Sequence, residues 1–261
     1  MQPILIDMLK KNLRSLRLTD MARNLDAVLE AAEREQQGHL QFLSQLVQKQ
    51  LEAAENRSLE RRLRMADFPR LMTFDNFDWN FQPGLNVPYL KNLQTLTFIA
   101  SRQPVLIFGK TGCGKTHIAV ALGVTACAAG YRVRFFTLQK LLAHLYATLA
   151  DDTTAEAIAT LARCDMLIID HVGFIRTKAE YPSLLLDLIC ACQHRVAITV
   201  TSSLSIAEWG QALGSPAITG DIVDRLFDGA SILRITQGLS YRTHGPHAQR
   251  APTLAQQLDD C

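Results

Sequence analysis

The sequence predicts a three-layer α/β domain, a parallel sheet covered by helices on both faces, preceded by a small all-helical domain. Three observations carry this expectation. Five short apolar runs alternate with amphipathic stretches from about residue 105 onward. Most of these runs lack strict polar–apolar alternation, as strands covered on both faces do. Before the join, the apolar residues recur only at helical spacing.

In the first part, Ile6, Leu9, Leu13 and Leu16 recur at steps of three and four. Leu25, Val28 and Leu29 do so again, and Leu40, Leu43, Leu46, Val47 and Leu51 form a third stripe. Thr19 or Asp20 is placed to cap the second helix, and Gly38 separates the second from the third. The join is "ADFPRLMTFDNFDWNFQPGL". The strand candidates after it are "VLIF" (Val105 to Phe108), "RVRFFT" (Arg132 to Thr137), "MLIID" (Met166 to Asp170), "AITVTS" (Ala197 to Ser202) and "SILRI" (Ser231 to Ile235). The expected division is a helical domain over 1–66, an α/β domain over 67–242 and a disordered tail over 243–261, where Gly, Pro and polar residues dominate.

Composition narrows the class. The chain has 261 residues, 48% hydrophobic and 20% charged, with no window near the roughly 18 apolar residues of a membrane span. The N-terminal apolar segment precedes its basic cluster, the wrong order for a secretory signal, so a cytoplasmic protein without membrane contact is expected. Cys113, Cys127, Cys164, Cys190, Cys192 and Cys261 form no CxxC pair and no alternation with histidines. They read as small hydrophobes in a reducing compartment. A net charge of +2 neither favours nor excludes a polyanion, but "NRSLERRLR" clusters Arg57, Arg61, Arg62 and Arg64 against a single Glu60.

Directly after the first strand stands "GKTGCGKT", comprising Gly109, Lys110, Thr111, Gly112, Cys113, Gly114, Lys115 and Thr116, and a helical stretch follows it. The pattern is GxxxxGK[ST], which predicts nucleotide binding. Glycines let the backbone curl so that amides point at phosphate oxygens, and the new helix adds the positive end of its dipole. Lys115 supplies charge for the β- and γ-phosphates, and the Thr116 hydroxyl is a magnesium ligand. Asp170, ending an apolar strand, is the second magnesium ligand, against the plainer reading of a strand-end cap. The strand "RVRFFT" lies between these motifs in sequence, and the loop's strand and the aspartate's strand are expected to be spatial neighbours.

Together, "ERRLRMADFPRLMTFDNFDWNFQPGL", "GKTGCGKTHIAVALG", "LIIDHVGF", "ITVTSSLSIAEWG" and "DIVDRLFDGASILRITQGLSYR" resemble the IstB family, helper ATPases of bacterial insertion sequences, and the related DnaC helicase loaders. Both are AAA+ P-loop proteins. The resemblance implies a sheet order of 5-1-4-3-2, ATP and Mg2+ as cofactors, homo-oligomers on double-stranded DNA, and an IstA-like transposase as partner. It also implies roles for single residues. His171 follows Asp170 where a glutamate usually polarises the attacking water, and Ser203 stands where an asparagine usually orients it. Arg225 matches the arginine that reaches the neighbouring subunit's ATP site, and Arg242 lies near a second phosphate sensor.

With both water-side residues changed and Lys115, Thr116 and Asp170 intact, binding is expected to survive better than turnover. His171 is then either a partial base or a residue that fills space beside the γ-phosphate. Ser203 still carries a donor, at shorter reach. The basic cluster is read as sequence-independent contact with DNA phosphates, against a solvated helix face. Phe77, Trp79 and Phe81 read as packing of the join against the core, and His117 as a neutral packed histidine. Three functions stay open: a hydrolysing regulator of transposition, an assembly switch that binds ATP without hydrolysis, and a DnaC-like helicase loader.

Overall fold

The structure is a computed structural model, and it describes residues 2–79, 81–173, 178–236 and 240–244. The tail expected over 243–261 lies outside the described residues from 245 onward. The chain separates into two compact units, Met1–Arg61 and Arg62–Cys261.

The first unit is built from α1 (Gln2–Ser15), α2 (Thr19–Arg34) and the greater part of α3 (His39–Ala66). Leu13, Met21, Ala22, Leu25, Val28 and Leu46 bury together, with Ile6, Leu18 and Phe42 against them. The third apolar stripe contributes only Leu46 to this core, since Leu40, Leu43, Val47 and Leu51 are exposed, as are Leu9 and Leu16 of the first. The expected local cap on α2 is replaced by a distant one. Its N-cap is Leu18, with no side-chain cap. Instead the Gln50 side-chain oxygen accepts from the backbone N–H groups of Asp20 (3.0 Å) and Met21 (3.2 Å). The Asp20 carboxylate, buried at 2% exposure, is then available for Arg57 at 2.6 Å and Arg23 at 3.2 Å.

The second unit opens with the end of α3, then α4 (Val87–Leu93) and α5 (Thr97–Ala100). It continues β1 (Val105–Gly109), α6 (Lys115–Ala128), β2 (Val133–Thr137), α7 (Leu138–Ala147), α8 (Thr154–Leu161), β3 (Met166–Val172), α9 (Tyr181–Cys192) and β4 (Ala197–Ser202). It closes with α10 (Ile206–Leu213), α11 (Pro216–Phe227), β5 (Ser231–Ile235) and α12 (Tyr241–His244). All five apolar runs are strands, paired in parallel in the order β2-β3-β4-β1-β5, which is 5-1-4-3-2 read from the other edge. β4 is buried at every residue, its hydroxyls Thr199, Thr201 and Ser202 included, while the edge strands β2 and β5 are only partly covered.

One expectation is corrected here. β1 and β3 are not neighbours, because β4 pairs with both and lies between them. Sequence spacing carries no information about which later strand inserts into a parallel sheet. The insertion matters for the site, since β4 brings Thr201 and Ser202 between the phosphate loop and Asp170.

Among the described residues no helix is long and apolar enough to cross a membrane. Cys113, Cys127, Cys164 and Cys192 are buried free thiols and Cys190 is an exposed one. Burial pushes the Cys127 thiol up to about 11, and the Cys164 and Cys192 thiols up to about 12, so these three stay protonated and inert near neutrality.

Candidate functional site

The site forms where β1 and β3 end and α6 begins. Gly112 (φ 82°) and Gly114 (φ 94°) take left-handed backbone, which lets the loop reverse before the helix. Side chains crowd it from behind. A Cβ on Gly109 would meet Cys113 Sγ at 2.7 Å, one on Gly112 would collide with the Ser240 hydroxyl, and one on Gly114 would meet the Phe77 ring at 3.2 Å. The glycine pattern is thus required by packing as well as by backbone conformation.

Lys115 is buried at 6% exposure. Its ammonium donates to the carbonyls of Gly109 (2.7 Å) and Lys110 (2.8 Å), so its charge is held at the mouth of the loop. Thr116, next on α6, donates its hydroxyl to Asp170, 2.9 Å from Oδ1 and 3.1 Å from Oδ2. A hydroxyl and one carboxylate suit magnesium, which keeps several waters and takes its other ligands from phosphates. Among the described residues no group of three or more His, Cys, Asp or Glu is arranged to hold a metal by protein alone. The donor set fits a nucleotide-bound magnesium and fits no self-contained metal centre.

Asp170 is 1% exposed, and the strand that carries it is irregular at its end. Between Ile169 and Val172 the pairing of β3 with β4 shifts by one residue, and His171 sits at that bulge with φ 61°. Its side chain is half-exposed, with Nε2 3.4 Å from Asp170 Oδ2. Thr201, fully buried on β4, donates its hydroxyl to Asp170 Oδ1 at 2.5 Å and accepts from the His171 backbone N–H at 3.0 Å. Ser203 is exposed, one residue beyond the end of β4, near the start of the segment that leaves β3. Its neighbour Ser202 is buried and structural: its hydroxyl donates to the Val172 carbonyl at 2.7 Å and accepts from Trp209 Nε1 at 3.0 Å.

The aromatic join lines one side of the loop. Phe77 is buried against Gly114, His117 and Trp79, and Phe74 stacks on Trp79. His117 donates from Nε2 to the Thr73 carbonyl at 2.8 Å, since a carbonyl only accepts. Burial lowers its pKa, with the nearby Arg70 acting in the same direction, and the histidine is neutral and packed. The backbone N–H of Tyr241 donates to the Gly112 carbonyl at 2.9 Å, and the Tyr241 ring meets Phe81 edge-on. The start of α12 therefore rests on the loop. The side chain of Arg242 lies outside the described residues.

The other predicted residues stand apart. Arg225, on α11, donates to the Asp221 carbonyl at 3.0 Å and lines a cleft with Arg102, Pro104, Val196 and Ile198. Pro104 and Val196 precede β1 and β4, so this cleft lies at the opposite end of the sheet from Lys115. The two ends are separated by the length of β1, about 13 Å at the rise of a strand. Arg225 does not reach its own chain's loop. Of the four clustered arginines, Arg57 is engaged with Asp20, and Arg62 donates from Nε to the Cys127 carbonyl at the end of α6 at 2.7 Å. Arg61 and Arg64 are exposed.

Residues 11–248 match the family described as IstB-like ATP binding protein. The chain belongs to that family. A relative from Pseudomonas aeruginosa, named as an ATP-binding protein of insertion sequence IS21, is 31% identical over 230 residues, covering 88% of this IstB-like chain and 86% of its own. One from Mycobacterium tuberculosis, named as an ATP-binding protein in an insertion sequence, is 30% identical over 236 residues, covering 90% and 93%. Among solved structures, DnaI has a TM-score of 0.52 at 17% identity, covering 63% of this chain and 91% of that one. AMPPCP-bound DnaA from Aquifex aeolicus has a TM-score of 0.54 at 20% identity, covering 67% and 53%. The structural likenesses show the fold of this IstB-like chain, and its curated relatives carry insertion-sequence names.

Sequence reasoning missed Thr201 and the seat of Ser240 and Tyr241 on Gly112. A signal for the first was present. Thr199 and Thr201 share one face of a strand that is otherwise apolar until its last residue, and a buried hydroxyl needs a partner.

Proposed function

We propose that this chain binds ATP with magnesium at the β1–α6 loop and, in that state, assembles with copies of itself on double-stranded DNA to activate a partner transposase. The observation that carries the reading is the buried Lys115 beside the Thr116–Asp170 pair. A cation at the phosphate loop, a hydroxyl in the first turn of α6 and a carboxylate near the end of β3 together suit a magnesium-bound nucleotide, in a chain of the IstB-like family. Gly109 to Gly114 contribute backbone amides for the phosphates, Lys115 contributes charge, and Thr116 and Asp170 hold the metal. Bound there, magnesium would neutralise phosphate charge.

The water side of the site is weak. His171 lacks a carboxylate's charge and Ser203 is exposed and short, so hydrolysis is slow while nucleotide grip is kept. Arg225, remote from its own loop, acts on the nucleotide of a neighbouring copy, and Arg242 acts as a further phosphate sensor. Arg61 and Arg64 meet DNA phosphates without reading bases. Transposition is favoured over helicase loading because the relatives that match most of the chain carry insertion-sequence names.

The test is ATP turnover with and without duplex DNA, run beside light scattering. Scattering that rises only with ATP and DNA together, with low turnover, supports the proposal. The Arg225→Ala chain should still bind nucleotide and fail to assemble. Scattering indifferent to nucleotide and DNA overturns the proposal, and turnover comparable with an efficient ATPase overturns its claim of weakened hydrolysis.

A further inference from the structure

We propose that Thr201 is a positioning residue that fixes the Asp170 carboxylate for magnesium and ties it to the backbone of His171. The proposal rests on the reading of Asp170 and Thr116 as metal ligands, and deepens it by naming the donor that holds the carboxylate from within the sheet.

An ionised carboxylate only accepts, so the single hydroxyl proton of Thr201 is spent on Asp170 Oδ1, and an oxygen lone pair is left for the His171 N–H. One side chain thus satisfies a buried acceptor and a backbone donor together. Thr116 also donates to Asp170. As a metal ligand Thr116 would also have to place an oxygen lone pair on the ion, so its position answers to the metal as well as to the aspartate. Thr201 has no such second duty. Turning away would strand the His171 N–H at a bulge that already departs from regular pairing.

The partition of the two carboxylate oxygens follows. Oδ1 accepts from Thr201 in the sheet and lies 2.9 Å from the Thr116 hydroxyl, while Oδ2 has no sheet donor and lies 3.1 Å from Thr116 and 3.4 Å from His171 Nε2. The constraint comes from a strand that is buried throughout, which makes it rigid. Without the hydroxyl, Asp170 rotates more freely and holds the metal less well, as happens when the hydrogen-bond partner behind a metal ligand is removed. Thr199 supplies an internal control. It lies two residues earlier on β4, is equally buried, and among the described residues its hydroxyl has no hydrogen-bond partner.

The experiment titrates a fluorescent ATP analogue on the full chain at a series of magnesium concentrations and again in EDTA. Thr201→Val keeps the shape and removes the hydroxyl, Thr201→Ala removes it with no added methyl to fit, and Thr201→Ser restores it. Removal of the hydroxyl should raise the magnesium concentration for half-maximal tightening about tenfold. Affinity in EDTA should be unchanged, Thr201→Ser should return close to wild type, and Thr199→Val should match wild type. Either folded hydroxyl-free variant with the wild-type magnesium midpoint overturns the proposal, as does an equal loss in Thr199→Val. Asp170→Asn is run alongside. If it too leaves the magnesium dependence intact, the metal reading has failed and not merely the role of Thr201.

Discussion

Thr116 donates its hydroxyl to Asp170 at 2.9 Å, joining the first turn of α6 to the end of β3 across 54 residues of sequence. Beside them, Lys115 holds its charge against two loop carbonyls. In the function proposed above these residues divide the work of binding, and the division is measurable. Lys115→Ala removes the proposed phosphate contact and should weaken ATP about 50-fold, using 1.5–3 kcal/mol for a charged hydrogen bond. Asp170→Asn should leave ATP affinity in EDTA unchanged and abolish the tightening by magnesium. Equilibrium titration with a fluorescent analogue reads both, and equal binding by wild type and Lys115→Ala would remove the loop from the account.

Turnover should be limited on the water side of the site. His171 occupies the position after Asp170 without a carboxylate, and Ser203 begins the exposed segment after β4. Installing Glu at 171 and Asn at 203 together should raise phosphate release in the presence of DNA by at least tenfold, in the range that general-base assistance contributes. Each single change should give less than the pair, since base and water-orienting donor act on one water. A colorimetric phosphate assay decides it, and a double variant no faster than wild type would place the limit elsewhere.

The strands and the phosphate loop were legible in the sequence because their determinants are local. Each strand is a short apolar run, and Gly112 and Gly114 mark left-handed turns that glycine adopts without strain. What was not legible depends on residues far apart in sequence. Gln50 caps α2 from 30 residues away, Arg57 pairs with Asp20 across 37, and Thr201 reaches Asp170 across 31. The place of β4 between β1 and β3 was given by the 5-1-4-3-2 order that the family resemblance implied, and not by the apolar runs themselves. The left-handed backbone at His171 was hidden for another reason, since nothing in a non-glycine residue announces positive φ.

That backbone makes its own prediction. A non-glycine residue at φ 61° carries a steric cost between its Cβ and its carbonyl that glycine escapes. His171→Gly should therefore raise folding stability by about 0.5–1 kcal/mol, despite the entropy glycine gives to the unfolded chain. Urea unfolding followed by circular dichroism measures this. A stability loss of similar size would mean that the imidazole beside Asp170 contributes more than the strain.

The four clustered arginines should separate into two pairs. Arg57 neutralises Asp20, whose carboxylate is 2% exposed and whose other partner, Arg23, is largely solvated. Arg57→Ala should cost about 1–2 kcal/mol in urea unfolding, as expected when a buried charged acceptor loses its main donor. Arg61 and Arg64 are exposed, so Arg61→Ala and Arg64→Ala should change stability by less than about 0.5 kcal/mol. Each should instead lower the slope of log affinity for duplex DNA against log salt by about one. Unchanged slopes in both would remove this helix face from DNA contact.

Asp165 links the entry of β2 to the start of β3, and it makes this contact pH-dependent. It accepts from Arg132 through the backbone N–H (2.8 Å), Nε (3.1 Å) and Nη2 (3.1 Å), with Arg102 at 3.8 Å. Burial alone would push its carboxyl up, but the Arg132 hydrogen bonds and charge, with Arg102, outweigh burial and hold the pKa below its ordinary value. In the unfolded chain the group titrates at the model-peptide value of about 3.9. Because the folded value is lower, the contribution is complete above the unfolded pKa and is lost as pH falls through the folded one. Arg132 is 66% exposed, so solvent screening limits the contribution to about 1 kcal/mol. Asp165→Asn should accordingly be less stable than wild type by about that amount at neutral pH, with the gap closing as pH drops below about 4. Urea unfolding of both chains across this range is the measurement, and a gap that stays constant with pH would assign the stabilisation to side-chain shape and not to the carboxylate's charge.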